Sequence, residues 1–96
     1  MSLFQLTRKA EADLKGIGRY TQKTRGRKQR NVYLSGLDKC FHLLADEPDL
    51  GLCCDEVKQG YRKFYKSRHV IFYRKVDDKI EIVRVLHERM DAERHL

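Results

Sequence analysis

The sequence predicts an α+β fold in the order β-α-α-β-β-β, a helical hairpin packed on one face of a mainly antiparallel sheet. Apolar residues recur at helical spacing in two early stretches. Three later stretches are rich in β-branched and aromatic residues and are joined by links too short for anything but hairpins. The chain has 96 residues, the size of one ordinary domain, so residues 1–96 are read as a single domain with one compact core.

Leu3-Phe4-Gln5-Leu6 reads as a short opening strand, and Thr7 as the N-cap of the helix behind it. From Arg8 to Thr24, the positions Ala10, Leu14, Ile17 and Thr21, with Tyr20 beside them, form one face of an amphipathic helix. Lys9, Asp13 and Lys23 are placed on the opposite, wet face. Gly16 and Gly18 each cost about 1 kcal/mol relative to alanine inside a helix, which is acceptable where a close-packed neighbour needs small residues. A second helix supplies that neighbour. After the break at Arg25-Gly26-Arg27, the residues Tyr33, Leu34, Leu37, Phe41 and Leu44 repeat at helical spacing, and Asp46-Glu47-Pro48-Asp49 stops the run. The two helices should form an antiparallel hairpin.

Asp49 to Gln59 has no clear period and is assigned to a surface loop. Beyond Gly60 come three strands, Tyr61 to Lys66, His69 to Val76 and Lys79 to His87, joined at Ser67-Arg68 and Asp77-Asp78. In the last strand Ile80, Ile82, Arg84 and Leu86 should share one face, and Val83, Val85 and His87 the other. Apolar residues on both sides mark it as a central strand. The charged tail from Glu88 to Leu96 suits a final helical turn or a mobile end.

Lysine and arginine number 21 against 14 aspartate and glutamate, a net charge of +7, which favours an acidic partner or simply keeps the chain soluble. Cys40, Cys53 and Cys54 are an odd set without a CxxC pair, and His42, His69, His87 and His95 are scattered. A disulfide framework and a zinc site are therefore not expected, and a reducing compartment fits. The opening residues Met1 to Lys9 lack the apolar run of a secretory leader, and no stretch reaches membrane-spanning length. The expectation is a cytoplasmic protein with no membrane partner.

No Walker loop, GxSxG elbow or HExxH motif is present, and no cofactor is implied. The richest polar set lies on the predicted sheet and its exit: Arg62, Arg68, His69, Arg74, Arg84, His87 and Arg89. Two uses suit it. In RNA cleavage, His87 would move a proton while Arg74 or Arg84 stabilised charge on phosphate; adhesion to an acidic surface needs only charge and shape. Tyr61, Phe64, Tyr65, Phe72 and Tyr73 are read chiefly as core rather than as a stacking platform for bases. On the hairpin, most of Leu14, Ile17, Tyr20, Leu37 and Phe41 should be internal, with Tyr20 and Tyr33 the exceptions open to another chain.

Leu6-Thr7, Ala10, Asp13-Leu14, Ile17, Tyr20-Thr21, Gly26 and Gln29 resemble the opening of ParE toxins in the RelE/ParE superfamily. Arg62, His69-Val70-Ile71-Phe72-Tyr73 and Arg84-Val85-Leu86-His87-Glu88-Arg89-Met90-Asp91 resemble that family's H-x-I-F-Y and V-L-H-x-R-M-D patterns, so the likeness spans nearly the whole chain. The resemblance implies the β-α-α-β-β-β fold and a type II toxin held by a ParD-like antitoxin in a hetero-oligomer, as in plasmid stabilisation. It implies DNA gyrase as the target, with cleaved DNA trapped and replication blocked. RelE relatives instead cut messenger RNA on the ribosome, commonly with a tyrosine near the C-terminus; here no tyrosine follows Tyr73. That difference favours the non-enzymatic ParE branch and leaves a nuclease using His87, Arg74 and Arg84 as the alternative. The expected target-binding residues are Arg62, Arg74, Arg84, His87 and Arg89, and the expected antitoxin-binding residues are Leu14, Ile17, Tyr20, Tyr33 and Leu37.

Overall fold

Thr7 starts the helical hairpin: its hydroxyl accepts the Ala10 N–H at 3.0 Å and donates to the Val83 carbonyl at 2.7 Å, tying the helix to the sheet. The computed structural model describes Leu3 to Leu96; Met1 and Ser2, which open the stretch read above for a leader, lie outside the described residues. In chain order the elements are β1 (Phe4–Leu6), α1 (Arg8–Arg25), α2 (Arg27–Asp46), β2 (Leu52–Cys53), β3 (Tyr61–Lys66), β4 (His69–Val76), β5 (Lys79–His87) and α3 (Ala92–His95). Among the described residues no helix is long and apolar enough to cross a membrane.

The five strands lie in the order β1-β5-β4-β3-β2. β1 is parallel to β5, and every other pair is antiparallel. Gly26, at φ 93°, makes the sharp break between α1 and α2 that a residue with a Cβ would resist. Where the helices cross, a Cβ on Gly18 would stand 3.3 Å from Leu34 Cδ1, so the small residue permits the close approach. Gly16 has nothing within 4 Å and is not explained by that contact.

One face of the sheet carries the main core, in which Ala10, Ile17, Leu37, Phe41 and Leu44 of the hairpin meet Ile71, Tyr73, Ile80, Ile82 and Val85. The other face has a smaller core of Cys54, Tyr61, Val70, Phe72 and Leu86, partly covered by Val57, Val83, Ala92 and Leu96. The C-terminal segment therefore docks through α3.

Three expectations are corrected. The loop from Asp49 to Gln59 contains the two-residue edge strand β2, with Leu52 and Cys53 paired to Lys63 and Arg62. Strict alternation fails in β5, because Phe72 faces Arg84 while Tyr73 faces Ile82, leaving Val83 as the extra residue of a bulge. The bulge turns Val85 toward the main core and Leu86 toward the smaller one. Asp13 is not on a wet face, for its side chain is only 14 % exposed and sits against β5.

Candidate functional site

β1 is too short to pair with all of β5, and the groups beyond its end are satisfied by side chains from the start of α1. The Asp13 carboxylate accepts the Val85 N–H at 2.9 Å and two parallel bonds from Arg84, Nε and Nη2 each at 2.8 Å. The paired Asp13 pushes the Arg84 guanidinium further above its already high pKa. Arg84 Nη1 also donates to the His95 carbonyl at 3.0 Å, which ties α3 to the same clamp.

Beside this clamp opens a cleft of about 890 Å³, walled by α1 from Ala12 to Arg25, the first turns of α2, the β3–β4 turn and the adjoining ends of β4 and β5. Ile17, Val85 and Met90 give it apolar walls. Tyr20, 70 % exposed, stands at its rim. Across the β4–β5 ladder His69 directly faces His87, with ring centroids 5.5 Å apart in an edge-to-face arrangement. Tyr33, reaching in from α2, places its hydroxyl 2.6 Å from His69 Nδ1 and 3.2 Å from the Lys66 carbonyl.

A hydroxyl carries one proton, so both contacts are satisfied together when Tyr33 donates to Lys66 and accepts from the Nδ1–H of His69. That tautomer leaves His69 Nε2 as a free acceptor. Burial, then the neighbouring His87, lowers the pKa of His69, while burial raises that of Tyr33. His87 Nδ1 accepts the Arg89 N–H at 3.2 Å, which fixes its ring against the chain's exit from the sheet. The cleft thus holds two histidines and a tyrosine next to apolar surface, a combination suited to gripping an amphipathic segment.

Of the arginines singled out in the sequence, Arg68 in the β3–β4 turn lines the cleft with His69 and His87, and the others do not join them there. Arg74 lies on the opposite face of the sheet, paired to Glu81 at 2.9 Å. It is five residues along β4 from His69, or about 17 Å at strand spacing. Arg62 donates to the Gly51 carbonyl at 2.7 Å and holds the loop before β2, and Arg84 is committed to Asp13. Arg89 is exposed on the tail. Of the expected antitoxin contacts, Tyr20 and Tyr33 line the cleft and Leu14 lies in a separate groove outside the hairpin. Ile17 borders the cleft but is mostly buried, and Leu37, at 0 % exposure, is closed inside the core.

Two participants were missing from the sequence reading: Asp13 as an anchor, and Tyr33 as the partner of His69. The signal for Asp13 was present, since it falls three residues after Ala10 and four before Ile17, on the buried stripe. Nothing local announces the Tyr33–His69 contact, which joins residues 36 apart. Among the described residues no group of three or more histidine, cysteine or acidic side chains could hold a metal ion.

Residues 4–92 match the family described as "ParE toxin of type II toxin-antitoxin system, parDE". The chain is 36 % identical over 96 residues to "Toxin ParE1" of Caulobacter vibrioides, covering 100 % of this chain and 99 % of that one. It is 38 % identical over 96 residues to "Toxin ParE1" of Mycobacterium tuberculosis H37Rv, covering 99 % and 98 %. A solved structure described as "Chromosomal ParDE TA system from P. aeruginosa" has the same fold, with a TM-score of 0.78 at 20 % identity over 91 % of this chain and 96 % of the other. The bulged sheet, the hairpin fastened to it and the full-length sequence match lead to one assignment: the chain belongs to the ParE toxin family of type II toxin–antitoxin systems.

Proposed function

We propose that this toxin acts in the cytoplasm by binding DNA gyrase and trapping cleaved DNA, and that a ParD-like antitoxin neutralises it by occupying the cleft between α1 and the ends of β4 and β5. Family membership over the full length carries the reading. The geometry supports binding over catalysis, because the groups a nuclease would combine are apart: Arg74 is on the far face and Arg84 is locked to Asp13. An antitoxin segment in the cleft would cover exposed Tyr20 and Met90 and meet the polar end formed by Tyr33, His69 and His87.

The test is a supercoiling reaction with relaxed plasmid, ATP, gyrase and purified toxin, scored for lost supercoils and for double-strand breaks. Near-stoichiometric inhibition with accumulated breaks is expected, and addition of the antitoxin should reverse it. Unaffected gyrase at molar excess of toxin rejects the target. One observation favours a second reading, messenger RNA cleavage on the ribosome: the proximity of His69 and His87 with Tyr33 beside them. A translation reaction run in parallel decides it, since cleaved message that disappears in His87→Gln would transfer the protein to that branch.

A further inference from the structure

The net charge of this protein is concentrated in one place. Between Leu14 and Leu37 stand seven of the 21 lysines and arginines and none of the 14 acidic residues; elsewhere 14 cations and 14 carboxylates balance. This segment is the distal part of the helical hairpin: the last turns of α1, the Gly26 break and the first turns of α2.

Lys15, Arg19, Lys23, Arg25, Arg27 and Lys28 are exposed, and Arg30 is partly so. Among the described residues none of the seven is in a salt bridge, whereas Arg62, Arg74, Lys75 and Arg84 on the sheet all have carboxylate partners. Arg30 instead bonds the amide oxygens of Asn31 and Gln22. Such neutral contacts orient a guanidinium without cancelling its charge.

We infer that the tip and outer face of the hairpin form a docking surface for the phosphate backbone of double-stranded DNA, which adjoins the cleft where Thr24, Arg25 and Gln29 line it. From Lys15 to Arg25 the cations extend about 15 Å along α1 at the helical rise. A duplex presents one charge per about 1.7 Å of axis, or about nine phosphates over that length. Gln22, Thr24, Gln29 and Asn31 intersperse the cations with neutral hydrogen-bonding groups, the mixture that phosphate contacts use. From Thr21 to Val32 there is no aromatic residue, so the tip lacks the stacking platform that single strands require. An acidic protein segment would want an apolar floor along the whole contact. The outer groove offers one only at Leu14 and Leu34, and between Thr21 and Val32 the one large exposed hydrophobic is Val32.

The inference does not rest on the gyrase reading, and naked DNA tests it without gyrase. Fluorescence anisotropy of a labelled 20-base-pair duplex of arbitrary sequence, titrated with purified protein from about 50 to 200 mM salt, should give micromolar binding with a log–log salt slope between about −4 and −6, reflecting four to seven phosphate contacts. Replacing Arg25, Arg27, Lys28 and Arg30 together by glutamine keeps helix propensity and should make the slope shallower by about 3. The same replacement at Arg8, Lys9, Lys39 and Lys58 removes equal charge elsewhere and should leave the slope within about 1 of the parent. Circular dichroism of both variants checks folding. Equal effects of the two quadruple variants, absence of binding at 50 mM salt, or at least tenfold tighter binding to structured RNA or polyglutamate than to duplex DNA would each overturn the inference.

Discussion

Asp13→Ala is the substitution from which the structure predicts most. The carboxylate it removes accepts three bonds, two from Arg84 and one from the Val85 amide, and the Asp13 and Arg84 side chains are each only 14 % exposed. Deleting one partner of a largely buried ion pair costs about 3 to 5 kcal/mol, mostly because the other charge stays desolvated without compensation. Some water reaches this pair, which places the expectation near the lower end, at about 3 kcal/mol. The Val85 N–H, at the edge left open by short β1, adds about 1 kcal/mol if it loses its acceptor. A chain of this size has about 5 to 14 kcal/mol in total, so the variant should lose a large part of its stability and melt about 15 to 25 °C lower. Urea unfolding followed by circular dichroism gives the value directly. A double-mutant cycle with Arg84→Met then separates coupling from the loss of Asp13 alone. The double variant should be more stable than Asp13→Ala, because it no longer buries an unpaired guanidinium. A loss below about 1 kcal/mol for Asp13→Ala, the range of an exposed pair, or no recovery in the double variant, would refute the reasoning.

Three further outcomes follow from the same geometry. The pKa of His69 is lowered by burial and by His87, so the folded state resists its protonation; that contribution to stability is present above the ordinary histidine pKa near 6.5 and is lost as pH falls through the depressed folded value. Thermal melts should show a fall below about pH 6.5 that is weaker in His69→Gln, and identical pH profiles would disprove it. In Gly51→Ala the new Cβ would meet the buried Tyr73 side chain and stand 2.9 Å from the Lys63 carbonyl, a crowding expected to cost at least about 2 kcal/mol in urea unfolding; a change under about 0.5 kcal/mol would show that the loop yields freely. Tyr20→Ala should leave the melting temperature nearly unchanged, because the ring is 70 % exposed, yet weaken antitoxin binding about 30-fold by calorimetry if the ring anchors the partner. Unchanged affinity would move the antitoxin off this rim.

The strands from Tyr61 to His87 were legible to the residue because three local signals agreed there: β-branched and aromatic composition, turns too short for anything but hairpins, and residues such as Asp77 that tolerate positive φ. β2 was not legible. It is two residues long and is held from a distance, by the Arg62 guanidinium on the Gly51 carbonyl and by the buried Tyr73 hydroxyl, which accepts the Gly51 N–H and donates to the Pro48 carbonyl, both at 2.8 Å. The bulge at Val83 was hidden for a related reason. A run that is apolar on both faces fits either register, and the choice is made by what each face must pack against.

The strand arginines show where reading a site from charge goes astray. Arg62, Arg74 and Arg84 were grouped with His87 because they concentrate positive charge on the predicted sheet and its exit. In the fold each has found its own acceptor: a loop carbonyl, Glu81 and Asp13. A cation within a compact sheet is expensive to desolvate unless it is paired, and these three arginines are each given a partner. The hairpin tip has water on most sides and no such requirement, and there the cations stand without carboxylates. Sequence alone cannot tell these two situations apart, because it counts charges without showing which are already answered. The polar cluster that does face an opening, Tyr33 with His69 and His87, holds no lysine, arginine or carboxylate of its own, and Arg25 and Arg68 line the same cleft. Recognition in the cleft should therefore depend mainly on shape, burial and a few oriented hydrogen bonds and weaken only modestly with salt through Arg25 and Arg68, whereas a contact made through the whole hairpin tip should weaken steeply as salt rises.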